Sequence, residues 1–271
     1  MTRPADDNAK PDALHPDDQA PRSLEECRRC DLWRNATQGV PGEGPASARV
    51  MVVGEQPGDQ EDLQGAPFVG PAGRMLDTAL ERAGLARDKV YMTNAVKHFK
   101  WEPRGKRRLH KTPAQQEIEA CGYWLESELS TVRPDVVVTL GATALKAVLG
   151  KKTVAISKVL GMAIEHEGRK VIATYHPSYV LRVPDQAAKQ AAFERIVEAL
   201  RMAARLSAAP PPRKGRSTAT TTAKAADAGA VATPKTPAAG TAARKRATAP
   251  GAARKGTRRP DKSGGGGKDE K

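Results

Sequence analysis

Four short runs of nearly unbroken aliphatic and β-branched residues do most to limit the folds open to this chain: 50–53, 90–96, 135–140 and 170–175. Such runs, closed by Gly or Asn rather than alternating with polar residues, predict strands buried on both faces. Between them, helical patterns cover 72–84, 114–132, 142–149 and 186–206. In the second pattern Ile118, Cys121, Leu125, Leu129 and Val132 recur every three or four residues and make one apolar stripe. Thr112-Pro113-Ala114-Gln115 predicts its start, with Thr112 as cap, Pro113 first in the helix and Gln115 three residues after the cap. Strands alternating with helices imply an α/β fold: one three-layer α/β/α domain around a central, mainly parallel, four-stranded sheet. The segment 154–167, with Gly161 and Gly168, predicts an extra hairpin or a pair of short strands.

The globular pattern spans 23–206. Residues 1–22 carry little to bury and are expected to be disordered; being acidic, Pro-rich and without an apolar core, they do not resemble a secretory signal. Residues 207–271 form an Ala/Pro/Lys/Arg-rich stretch without aromatics or periodicity, also expected to be disordered. From 211 onward, 15 Lys/Arg face 4 Asp/Glu, a net of +11 within the whole chain's +14. Clusters such as Arg244-Lys245-Arg246 suit a loose, salt-sensitive grip on DNA, against the plainer reading of a solubilising tail. No apolar run is long enough to cross a bilayer. A cytoplasmic, monomeric protein, associated with the nucleoid and with no membrane partner, is expected.

Three predicted strands end in chemically loaded loops. The first gives Gly54-Glu55-Gln56-Pro57-Gly58-Asp59 and then Pro67-Phe68-Val69-Gly70. The second gives Thr93-Asn94-Ala95-Val96-Lys97-His98, and the fourth His176-Pro177-Ser178-Tyr179. A lone His at a strand end is usually structural, and a lone Phe after Pro usually packs. Convergence of three such loops at one sheet edge favours a site.

These motifs resemble those of the uracil-DNA glycosylase superfamily, and in particular its iron–sulfur bacterial branch called family 4. The resemblance covers about 23–206. It implies that a uracil nucleotide is flipped out of DNA, single-stranded DNA being preferred, and that its N-glycosidic bond is cut. Phe68 is then expected to stack on the base beside Gly54, and Asn94 to hydrogen-bond its pairing edge. His176 is expected to donate to a uracil carbonyl as charge gathers there, with Ser178 on the DNA.

Two departures resemble the branch called UdgX: Gln56-Pro57-Gly58-Asp59 in the first loop, and Gly105-Lys106-Arg107-Arg108-Leu109-His110 after the second strand. Members of that branch stay covalently attached to the abasic DNA through the His of this loop, which makes His110 the expected nucleophile. Glu55 would stabilise the sugar cation or take the proton from His110, while Gln56 and Asp59 orient the loop and the strand. From the residues alone, 98–112 has no periodic pattern, and Lys106, Arg107, Arg108 and Lys111 are expected on phosphates. His110 among these cations should stay unprotonated. By residue type alone it reads better as part of the phosphate patch, which would leave a conventional, multiple-turnover glycosylase; the resemblance of the loop to UdgX reverses that preference. A DNA-binding module without chemistry is a third reading, opposed by the presence of Glu55, Phe68, Asn94 and His176 together.

Cys27-x2-Cys30 with Cys121 offers three thiolates and argues for a metal site rather than a disulfide framework. The resemblance places a further ligand after the second strand, where this chain has His98. Cys27, Cys30, His98 and Cys121 are thus the expected ligands of a [4Fe–4S] cluster with a structural role. By residue type alone, three Cys and one His suit zinc as well.

Overall fold

The computed structural model describes residues 21–150 and 154–208. The expectations for 1–22 and 207–271 therefore lie outside the described residues, save for two positions at each inner margin. The strands are β1 (Val50–Gly54), β2 (Val90–Asn94), β3 (Trp101–Arg104), β4 (Arg107–His110), β5 (Val136–Leu140), β6 (Ala163–His166) and β7 (Arg169–Thr174). The helices are α1 (Asp59–Gln64), α2 (Pro71–Ala83), α3 (Gln115–Val132), α4 (Ala142–Leu149), α5 (Ile156–Val159), α6 (Pro177–Arg182) and α7 (Gln186–Ala208).

The main sheet runs in the order β2-β1-β5-β7-β6. Its first four strands are parallel and are the four runs picked out by sequence. The expected four-stranded sheet gains a fifth strand, because β6 adds antiparallel to the edge of β7. Only 163–166 of the anticipated extra pair is strand, and 156–159 is a helical turn instead. Glu167 and Gly168, at φ +49 and +76, make the two-residue turn between β6 and β7.

The apolar runs are unbroken because helices cover both sheet faces. Val50 and Val52 point into a core shared with Leu76, Leu80, Ile196 and Leu200 of α2 and α7. Met51 and Val53 point the other way, onto Leu125, Leu129 and Leu145 of α3 and α4. Leu76 and Ile196 are fully buried, so truncating either to Ala would cost about 2–5 kcal/mol. Helix α3 begins at Gln115, later than the expected cap: Glu117 Oε2 accepts the N–H of Ala114 at 2.6 Å, and Thr112 takes no part. An acid reaching back from the third helical position replaces the hydroxyl.

The segment 98–112 departs most from expectation. It is a hairpin, with Trp101 opposite His110 and Arg104 opposite Arg107. Its strands carry few apolar residues, so periodicity could not announce it. The turn is Gly105-Lys106, with Gly105 at φ +59, a conformation that two-residue hairpin turns require and that glycine adopts without strain. Chain order reverses at β1, which has β2 on one side and β5 on the other. In parallel sheets the crevice beyond such a reversal is where ligands bind. No helix among the described residues is long and apolar enough to cross a membrane.

Candidate active site at the carboxyl edge of the sheet

Gly54 and Asn94 end neighbouring strands in register. A β-carbon on Gly54 would lie 2.3 Å from Asn94 Oδ1 and 2.7 Å from Phe68 Cζ. The amide and the ring thus meet over bare backbone, which only glycine allows. Phe68 has φ +57, a costly conformation for a bulky residue, and its surroundings hold it there. A β-carbon on Gly73 would fall 1.8 Å from the Phe68 carbonyl oxygen, so the helix after the loop must present glycine. Arg87, paired with Asp77, donates to the Pro67 carbonyl at 3.1 Å. Glu61 accepts the N–H of Gly58 at 3.1 Å and that of Gly70 at 2.8 Å, tying the Glu55 loop to the Phe68 loop. Neither Arg87 nor Glu61 stood out in the sequence, although an acid in the first turn after Gly58 was a readable capping signal.

Beneath Asn94 lies a buried ion pair. Lys97 Nζ donates to the Asn94 carbonyl at 2.9 Å, to Thr93 Oγ1 at 2.5 Å and to Glu128 Oε2 at 2.7 Å, while Glu128 Oε1 accepts the N–H of Gly42 at 3.0 Å. With Lys97 1% exposed, removing one partner would leave a buried charge alone, at a cost of about 3–5 kcal/mol. Sequence reasoning passed over this pair, since a Lys inside an apolar stretch was its only trace.

His176 caps α6, and its Nδ1 accepts the main-chain N–H of Ser178 at 3.1 Å. Burial, with smaller contributions from His110 and Arg182, pushes its pKa down to about 4, so the ring is neutral near pH 7. An Nδ1 that accepts leaves the proton on Nε2, ready to donate. Ser178, expected on DNA, has its hydroxyl 2.7 Å from the same Nδ1 and serves the histidine.

The hairpin delivers His110. The Gln56 amide donates to the carbonyls of Lys100 and Lys111, both at 3.1 Å, and accepts the N–H of Lys100 at 3.1 Å. Arg108, expected on phosphate, is instead turned inward. It binds Asp59 at 2.6 Å and the fully buried Asp62 at 2.5 Å, and lies over Phe99 and Trp101. Asp59 accordingly orients the hairpin through Arg108. Lys106 and Arg107 remain exposed at the turn, and Lys111 pairs with Glu102 at 2.6 Å. His110 Nε2 lies 3.4 Å from Glu55 Oε1. The pKa of His110 is lowered, as expected, but burial is the main cause, with Arg182 adding to it and Glu55 opposing it. Glu55, Gln56, Phe68, Asn94, His110 and His176 are thus gathered along one edge.

The thiols lie elsewhere. Cys30 and Cys121 join an apolar cluster with Leu32, Val96 and Ile118. Cys27 accepts from Trp124 Nε1 at 3.3 Å, and Cys121 from the N–H of Lys97 at 3.2 Å. Burial raises the Cys121 pKa to about 12, with Cys27 and Cys30 adding to the rise. Thiols that receive N–H groups, as Cys27 and Cys121 do, are chemically suited to a thiophilic metal. His98 is buried and has Asp62 and Arg28 as its charged neighbours. Among the described residues, no group of three His, Cys, Asp or Glu side chains is drawn together as a closed ligand set.

Residues 41–201 match the family model described as the uracil DNA glycosylase superfamily. The chain belongs to this superfamily. It is 41% identical over 177 residues to a type-4 uracil-DNA glycosylase of Thermotoga maritima, covering 65% of this chain and 88% of that protein. A type-4 enzyme of Archaeoglobus fulgidus is 41% identical over 174 residues, with 62% and 84% covered. A type-5 uracil-DNA glycosylase of Pyrobaculum aerophilum is 36% identical over 169 residues, with 56% and 70% covered. The matched span contains every residue gathered at the sheet edge.

Proposed function

We propose that this superfamily member excises uracil from DNA and then bonds His110 to C1′ of the abasic sugar, a single turnover that ends in a covalent adduct. The flipped base stacks on Phe68 over Gly54, and the Asn94 amide pairs with its edge. A buried amide matched to uracil rejects cytosine, whose donors and acceptors are reversed there. Neutral His176 donates from Nε2 to the carbonyl oxygen that gains charge as the bond breaks. The observation that carries the capture step is the placement of a neutral, half-exposed His110 beside Glu55, on a hairpin pinned by Gln56 and Arg108. The carboxylate of Glu55 facing a ring nitrogen of His110 repels a phosphate from that nitrogen, which weighs against the multiple-turnover reading.

In this proposal Cys27, Cys30, Cys121 and His98 hold a [4Fe–4S] cluster, which when bound would cross-link the loop at 27–30 to α3. The protein acts in the cytoplasm as a monomer and prefers single-stranded DNA, with Lys106, Arg107 and Lys111 meeting phosphates. Residues 207–271 add a non-specific, salt-sensitive hold. The test is a gel run after boiling in SDS, with uracil-containing single-stranded DNA. Native protein should co-migrate with the DNA, and His110→Ser should lose the adduct. Multiple turnovers without any adduct would return the conventional glycosylase, and no uracil release would return the binding module.

A further inference from the structure

The carboxylate of Glu55 has two engaged oxygens. Oε1 faces His110 Nε2 at 3.4 Å, and Oε2 accepts a hydrogen bond from Thr143 Oγ1 at 2.5 Å. We propose that Thr143 is a positioning residue for capture: its hydroxyl fixes the Glu55 carboxylate so that the other oxygen stays turned toward His110. This deepens the covalent reading and rests on it.

The position follows from the sheet. β5 is the one parallel strand of the four to which no chemistry has been attached, and it lies directly beside β1, Thr139 opposite Val53. At its end Gly141, at φ +89, donates its N–H to the Thr174 carbonyl at 2.9 Å and turns the chain into α4. Thr143 then falls in the first turn of that helix, half-buried, with its β-branched side chain restricted in rotamer. Glu55 follows directly on β1. A rigid donor on one strand end thus meets a flexible acid on the next.

The chemistry needs that restraint. In the capture step the electron pair of the N-glycosidic bond leaves with uracil. The lone pair of one His110 ring nitrogen bonds to C1′, and the N–H proton of the other nitrogen passes to Glu55. Nothing is oxidised or reduced. Water competes for the same carbon, so the proton acceptor has to face the imidazole at the moment of bond formation. A carboxylate free to turn about its last torsion meets that condition only part of the time; one tethered at its far oxygen meets it continuously. An orienting group behind the base is the same logic that holds a catalytic histidine in place through a carboxylate.

The test uses the full-length protein with uracil-containing single-stranded DNA under single-turnover conditions, scoring released uracil and boiling-stable adduct in the same samples. The reading is the ratio of adduct to released uracil. Thr143→Val keeps the side-chain shape without the hydroxyl and should lower that ratio about tenfold, with free abasic DNA making up the difference. Thr143→Ser should restore it. A Thr143→Val protein with the native ratio overturns the proposal, even if both products form more slowly, because a purely structural defect slows both together. Native protein that releases uracil without adduct overturns the capture reading itself.

Discussion

Gln56 and Lys111 are joined by a 3.1 Å hydrogen bond from a side-chain amide to a main-chain carbonyl, one residue beyond His110. With its two contacts to Lys100, Gln56 clips both ends of the hairpin to the loop after β1, and its donors and acceptor are all engaged there. Gln56→Ala would leave two part-buried main-chain groups unmet, the Lys100 N–H and the Lys111 carbonyl, since the Lys100 carbonyl keeps the Lys111 N–H at 3.0 Å; the cost is about 1–3 kcal/mol each before water returns to them. Amide hydrogen exchange over 101–110 should quicken and adduct formation should slow by about tenfold. Unchanged protection in that segment would show that the clip does not hold the hairpin.

Gly54→Ala tests the recognition floor. The new methyl would lie inside contact distance of both Asn94 Oδ1 and Phe68 Cζ, so one of the two groups expected to grip uracil must move. Single-turnover uracil release should fall at least about a hundredfold, the scale reached when reacting groups shift by about an ångström. Excision at the native rate would mean that the base does not sit between ring and amide over this glycine.

The four parallel strands were legible because helices bury both of their faces, leaving Val50–Val53 and its counterparts without a polar alternation to confuse them. The short loops bearing Glu55, Asn94 and His176 were legible too, as sharp departures from those runs. The groups that hold the site together were not. Glu61, Arg87, Lys97 and Glu128 act through main-chain contacts and ion pairs between segments far apart in sequence, and single charged residues carry no spacing signal. Arg108 shows the opposite failure. Among the cations of its loop it reads as a phosphate contact, yet the buried Asp62, 46 residues away, turns it inward. The hairpin escaped notice because its four-residue strands are stabilised by anchoring rather than by a buried face.

Acid should weaken the fold through His176. The unfolded ring takes up a proton below its ordinary 6.5, whereas the folded one resists until about pH 4. The unfolded state therefore binds more protons between these limits. Stability from the neutral ring is fully present above pH 6.5 and is lost as pH falls toward 4. The full difference is on the order of 3 kcal/mol, and less in practice because the ring keeps an exposed edge. Urea midpoints should drop between pH 7 and 4.5, and His176→Asn should flatten that slope; an equal slope in the variant would refute the assignment. The His110 pKa is also lowered, so the acid limb of adduct formation should have its midpoint below 6.5.

Cluster ligation makes a separate demand on Cys121. A thiol raised to about 12 by burial stays protonated unless a metal displaces the proton, and in that buried place it receives the Lys97 N–H. The native protein should therefore contain iron and sulfide and absorb visible light. Cys121→Ala should lose both and melt roughly 5 °C lower or more, since the loop at 27–30 is then held to α3 only by hydrogen bonds such as those from Trp124 to Cys27 and from Arg29 to the Ala120 carbonyl. Zinc without colour would overturn the iron assignment, and an unchanged melting temperature would overturn the structural role. His98→Ala isolates the fourth ligand. If His98 ligates, the variant should take up oxygen-labile iron or none, while His98→Cys should keep the cluster with four thiolates; full, stable iron in His98→Ala would place the fourth ligand elsewhere.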